Sequence, residues 1–241
     1  HIVQHIHGTE TRITGAGYRL VSFEDKLDTV SAPEPGAEPD EHPDWPHNNM
    51  SYFAALSHRF AVEAEALALR EGPPDIVECQ DYGAAGYFLL HRRLTGDSPL
   101  AETPVVVHLH TPDFMVQGLN QYPRYKLPAY WIGRMERAAI WMADAVLAPS
   151  QAMLTEVHRH LEGPLPITEV IPYPLGEAAD AGSGETEEAR LLFVGRIELR
   201  KGVEPLLAAC DKLWREGLSF CIEMAGADVP TLLKGGNLTS Y

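Results

Sequence analysis

Cysteine is scarce and never paired as CxxC. The three residues Cys79, Cys210 and Cys221 are odd in number and sit in apolar strand-like or helix-like settings. This excludes a disulfide framework and a thiol-rich metal knot, and all three read as reduced core residues of a cytosolic protein. No apolar run approaches the roughly 20 residues that span a bilayer. No basic segment followed by an apolar core opens the chain, so nothing points to secretion and a cytoplasmic location is expected. Positive charge is also short: 19 basic residues against 34 acidic ones leave a net charge of −15 over 241 residues. That disfavours nucleic acid and polybasic membrane anchoring as partners, though it leaves room for a local basic pocket. Short-period repeats are missing, which excludes a solenoid. Gly15-Ala16-Gly17 runs into Tyr18, Arg19 and Leu20 rather than a dinucleotide fingerprint, and no Gly-Lys-Ser/Thr phosphate loop occurs. The usual marks of an NAD dehydrogenase or a P-loop kinase are therefore absent.

What is present is an ordinary globular composition, 45% apolar and 22% charged, with strands and helices alternating along the chain. Tyr18–Phe23 alternates as a strand. Residues 31–48 carry five prolines among acids and read as a solvated loop. Asn49 or Ser51 caps a helix with Phe53, Leu56, Phe60 and Leu67 on its apolar face, ending at Gly72-Pro73-Pro74. A strand at Asp75–Cys79, a helix at Ala84–Leu94, a β-branched strand at Pro104–Leu109 buried on both faces, and a helix at Tyr130–Met142 follow. Then come a strand at Ala145–Ala148, a helix capped by Ser150 and closed by Gly163-Pro164, and a strand at Ile167–Ile171. Such alternation predicts an α/β fold with parallel sheets. Residues 176–189, rich in Ala, Gly and Glu, read as a linker between a first domain over 1–175 and a second over 190–241, where the strand–helix pattern restarts.

The restart is the most informative stretch. Leu191–Val194 is an apolar strand stopped by Gly195, followed by Arg196, Lys201 and Gly202, then an amphipathic helix bearing Val203, Leu206, Leu207, Cys210, Leu213 and Trp214. A turn at the carboxyl end of a strand is where open α/β sheets bind ligands. Arg196 and Lys201 can hold an anion such as a diphosphate there. Two cations in a turn are equally what a solvated surface carries. Strand 105–109 delivers His110 to its own carboxyl end, where it can donate to a hydroxyl or carbonyl, or simply be satisfied by local backbone. His108 alternates with His110, but without acidic or thiol ligands at helical spacing no metal site is expected. Asp81 closes another strand and suits a substrate hydroxyl or acceptor, a catalytic base, or a turn cap. Ser150 lacks a Gly-x-Ser-x-Gly setting and reads as an N-cap.

Taken in order, these stretches resemble the retaining GT-B glycosyltransferases of family 4, the group 1 class. Pro104–Pro112, ending in His110-Thr111-Pro112, resembles the family's strand ending in His-Thr. Met142–Ser150 resembles its A-D-x-V-x-x-x-S element, and Val170–Pro174 its V-I-P-N-P, with Tyr173 in place of the Asn. Phe193–Gly202 is similar to F-V-G-R-x-x-x-x-K-G, and Ala225–Asp228 fits the segment beyond.

The resemblance implies a GT-B fold of two Rossmann-like domains, the second incomplete, and sugar transfer from a nucleotide-sugar with retention, needing no cofactor and no metal. It carries donor binding to Gly195, Arg196, Lys201 and Gly202, and the donor-sugar contact to His110. The acceptor, whether saccharide, lipid or small metabolite, stays open. The family's opening Gly-rich loop and its second-domain pair of glutamates would lie outside His1–Tyr241, so the chain reads as a fragment expected to turn over little. Two other readings remain beside the transferase: a degenerate GT-B-like binding module, and a nucleotide-sugar epimerase.

Overall fold

A computed structural model describes residues 2–5, 20–23, 50–96, 98–123, 125, 127–176, 189–227, 230–231 and 236–237. The loop read over 31–48, the alternative cap Asn49, residues 15–17, and the linker read over 176–189 apart from its two ends lie outside them. The chain forms two compact units. One comprises His1–Phe114 and Leu127–Pro172, the other Met115–Lys126 and Tyr173–Tyr241.

The first unit is built on parallel strands. β1 (Ile2–His5) pairs with β2 (Leu20–Phe23). A four-stranded parallel sheet follows, in the order β3 (Val77–Gln80), β4 (Val105–His108), β5 (Ala145–Ala148), β6 (Ile167–Val170). Val105, Val107, Leu109, Val146 and Ala148 are fully buried and Val106 nearly so. The β-branched run of β4 is thus central and covered on both faces, as its composition predicts. Each crossover of this four-stranded sheet is helical, the arrangement parallel pairing requires. A 3-10 turn (Tyr82–Ala84) and α2 (Tyr87–Thr95) follow β3. α3 (Asp113–Leu119) and α4 (Ala129–Met142) follow β4, and α5 (Gln151–His160) follows β5. α1 (Tyr52–Glu71) precedes the sheet. This is the α/β architecture with parallel strands expected from the alternation, and it is Rossmann-like as the resemblance implies.

Two local readings change. The buried positions of α1 are Ala55, Ser57, Ala61, Glu65 and Ala68, while Phe53, Leu56, Phe60 and Leu67 are only half-buried. Small side chains let the helix approach its neighbours closely, and the large apolar ones flank that contact. α3 lies between the strand read at Pro104–Leu109 and the helix read at Tyr130–Met142, where the sequence is assigned no element. Ser150 does cap α5, its hydroxyl accepting the Met153 N–H at 3.2 Å.

At the amino-terminal edge of the sheet, Asp144 ties three elements together. Its carboxylate accepts two hydrogen bonds from the Arg93 guanidinium, at 2.6 and 2.9 Å, and one from the Val105 N–H at 2.7 Å. Burial works against its charge, but these donors outweigh it and hold the carboxyl below its usual range.

The second unit pairs β7 (Arg190–Val194) in parallel with β8 (Cys221–Ala225), linked by a 3-10 turn (Leu199–Lys201) and α6 (Val203–Arg215). A short antiparallel pair, β9 (Pro230–Thr231) and β10 (Gly236–Asn237), follows. Ile197 and Val203 form a small core against Phe193, Leu199, Leu207 and Met224. One cysteine reading is corrected. Cys210 is buried, but Cys221 is exposed, because it starts a strand whose alternate residues face outward. Among the described residues no helix is long and apolar enough to cross a membrane.

Candidate functional site

The predicted site residues fall into two groups, one in each unit. In the first, Asp81 and His110 come together just beyond the carboxyl ends of adjacent strands. Gln80 of β3 is level with His108 of β4, and the Asp81 N–H reaches the His108 carbonyl at 3.1 Å. The Asp81 side chain is 0% exposed. Both its oxygens lie 3.0 Å from the His110 N–H, and Oδ1 also accepts the Tyr82 N–H at 2.7 Å. Burial pushes the Asp81 carboxyl above its ordinary value, and the His110 and Tyr82 amides act against that. Asp81 therefore grips backbone here.

The His110 ring is 46% exposed. Its Nδ1 lies 3.1 Å from the His108 carbonyl oxygen. A carbonyl only accepts, so Nδ1 carries the proton and in the neutral ring Nε2 carries the lone pair. Backbone orients the ring, and the exposed imidazole still offers hydrogen-bond chemistry. The His108 and His110 rings lie 4.9 Å apart, and His108 Nδ1 meets Glu78 at 2.9 Å.

The loop after β3 is held in an uncommon conformation. Gly83 and Ala84 both lie in the left-handed region, with φ of 71° and 57°. A Cβ on Gly83 would sit 2.6 Å from the Phe53 ring, so glycine is required there. The Ser57 hydroxyl donates to the Ala84 carbonyl at 2.7 Å. Glu136, fully buried on α4, accepts the N–H of Gly83 at 2.9 Å and of Asp113 at 2.8 Å on Oε1, and of Phe114 at 3.1 Å on Oε2. Burial raises its carboxyl to about 8 against those three amides. Glu136 is not singled out by the sequence pattern, because a glutamate in an amphipathic helix reads as solvated. The signal that remains is that residue 136 falls four positions after Ile132 and three before Ala139, on the buried stripe.

In the second unit, Gly195, Arg196, Lys201 and Gly202 lie on one strand–turn–helix connection. The Gly195 and Ile197 N–H groups bond to the carbonyls of Ala225 and Ala227 at 2.9 and 2.8 Å, extending the β7–β8 pairing into the turn. Gly202, with φ of 74°, closes the 3-10 turn and opens α6. The Arg196 side chain is 54% exposed, with Nη2 3.2 Å from Glu198 Oε1. Lys201 is exposed. Three residues missed in the sequence complete the turn. Glu198, 4% exposed, meets Arg200 Nε at 2.8 Å and accepts from Asn120 Nδ2 at 3.0 Å, while Asn120 Oδ1 accepts the Arg200 N–H at 3.0 Å. An acid placed among three cations was a legible hint, but Asn120, about eighty positions away, was not. The guanidinium of Arg196 has five donors. With one nitrogen anchored on a buried carboxylate, it can bind an anion with little loss of side-chain freedom.

The sequence matches the family model described as Glycosyltransferase Family 4 over residues 3–174. No curated protein matches the chain. The family match spans well over half the chain, and the α/β sheet with its ordered strand-end residues fits it: this protein belongs to glycosyltransferase family 4.

Proposed function

We propose that the protein is a retaining glycosyltransferase that moves a sugar from a nucleotide-diphosphate sugar to a hydroxyl-bearing acceptor. Family membership supports the transferase class. The observation that carries the donor assignment is the turn from Gly195 to Gly202. It presents two exposed cations, one braced on a buried carboxylate, at the start of a 13-residue helix. Backbone N–H groups and the helix dipole at such a terminus favour an anion, and the cations add charge-assisted hydrogen bonds.

As the bond between the anomeric carbon and the diphosphate oxygen breaks, negative charge grows on the leaving phosphate. Arg196 and Lys201 hold that charge more strongly in the transition state than in the ground state, which lowers the barrier. Gly195 and Gly202 let the backbone turn tightly next to the phosphates. His110, an exposed imidazole at a strand end, hydrogen-bonds a hydroxyl of the donor sugar. Asp81 sets the backbone from which that ring projects. On this reading no metal and no organic cofactor is required, and the reaction is cytoplasmic.

Nucleotide release by the full-length protein from UDP-, GDP- and ADP-sugars tests the proposal. One donor should support release, and Arg196→Ala or Lys201→Ala should each lower kcat/KM by roughly a hundredfold or more, the usual scale for losing one preorganised donor. Release that survives both substitutions would move the diphosphate elsewhere. A folded protein that binds a nucleotide-sugar without releasing nucleotide would leave the binding-module reading standing.

A further inference from the structure

The segment that carries His110 is gripped at both ends by buried carboxylates that belong to other elements. Asp81, from the end of β3, takes the His110 N–H on both oxygens at 3.0 Å. Glu136, from α4, takes the Asp113 and Phe114 N–H groups at 2.8 and 3.1 Å. The same Glu136 also takes the Gly83 N–H at 2.9 Å, so it joins the loop after β3 to the loop after β4. Both loops lie at the carboxyl edge of the sheet, where such folds place ligands.

Burying a carboxyl group completely is costly, and what Glu136 supplies in return is a partner for three backbone N–H groups in two loops, which an apolar side chain would leave unsatisfied. The α4 stripe on which Glu136 sits is otherwise apolar or small: Ile132, Gly133, Ala139 and Ile140. The backbone it holds is itself unfavourable, since Ala84 follows Gly83 in the left-handed region. Buried polar groups that hold strained loops at a candidate site are the pattern of a preorganised site.

We propose that Glu136 is a positioning residue for His110, acting through the backbone of residues 110–114, and that with Asp81 it forms a two-carboxylate brace fixing where the imidazole meets the substrate. Glu136 touches no reacting atom. This inference rests on the transferase reading for its effect on catalysis, but the geometry it asserts is independent of that reading.

Two measurements on the full chain test it. The first is kinetic. Glu136→Gln keeps the side-chain length and one acceptor oxygen, but turns an NH2 toward a backbone N–H. It should lower kcat by ten- to a hundredfold with the donor KM within about threefold, and should cost nothing further when added to His110→Ala. Equal losses in both backgrounds would overturn the proposal, because a merely structural glutamate acts regardless of His110. The second is spectroscopic and needs no activity. Imidazole resonances of histidine-labelled protein, with His110 assigned by its loss in His110→Ala, should shift in Glu136→Gln while those of His91 stay in place. A folded Glu136→Gln whose His110 signals coincide with wild type overturns the proposal, even if no donor is ever turned over. Should Glu136→Gln fail to fold, Asp81→Asn tests the brace from its other end, and an unmoved His110 signal there counts against it equally.

Discussion

At the scale of the residue, the three thiols have three fates. Cys210 is buried on α6. Burial pushes the Cys79 thiol up to about 12, with Glu78 and Asp81 adding to the effect. Cys221 is exposed at the start of β8. Reactivity follows thiolate and access, so a disulfide reagent added to native protein should label one thiol, Cys221, quickly. Denatured protein should release three. Cys221→Ser should abolish the fast phase, and a fast phase that survives it would contradict the burial of the other two. The polar residues that brace the site were the hardest to read. Glu136 acts from a helix 53 positions beyond Gly83, and Asn120 reaches Glu198 across 78. Composition and periodicity report local pattern, and these roles exist only once distant segments meet. The positions of His110 and Arg196 just past a strand end were legible because a strand is a local signal, whereas Lys201 lies farther on, at the end of the 3-10 turn.

At the scale of the element, β4 and β5 were easy to find, since runs such as Val105–Val107 have few other homes. The apolar face read for α1 is half-buried and flanks its most buried positions, which are mostly small residues, because bulk and closeness of packing pull in opposite directions. The strand–turn–helix of the second unit depends on a close approach that the sequence shows only as two glycines. A Cβ on Gly226 would lie 1.8 Å from the Gly195 carbonyl oxygen. That oxygen is backbone and cannot swing aside, so Gly226→Ala must push the end of β8 away from the turn that holds Arg196. The expected result is a loss of stability of roughly 1–3 kcal/mol, measured by urea denaturation, together with weaker binding of nucleoside diphosphate. Gly217→Ala serves as a control: its φ of 88° also disfavours a side chain, but nothing lies within 4 Å of an added Cβ. It should cost stability and leave nucleotide binding intact.

At the scale of the whole molecule, stability should depend on pH through two opposed carboxyls. Glu136 has a folded-state value of about 8, above its ordinary 4.5, so its contribution is complete below about 4.5 and disappears as pH rises through 8. Asp144, held low by Arg93 and Val105, works the other way: its contribution is present above the ordinary value of 3.8 and is lost as pH falls further. The urea midpoint should therefore be higher at pH 5.5 than at pH 8.5, with a slope no steeper than about 1.4 kcal/mol per pH unit from Glu136 alone. Glu136→Gln should flatten that slope, and an unchanged slope in the variant would remove Glu136 as its source.

One consequence concerns how the covalent chain is shared. Met115–Lys126 belongs to the second unit although it is encoded in the midst of the first, and Asn120 within it hydrogen-bonds both Glu198 and Arg200. The polypeptide therefore leaves the first unit, visits the second, returns, and leaves again. Cleaving any single peptide bond cannot yield both units whole: a cut near residue 173 strands the Asn120 segment with the wrong partner. A gene split at that point would encode two halves that must be expressed together to recover the Arg196 turn.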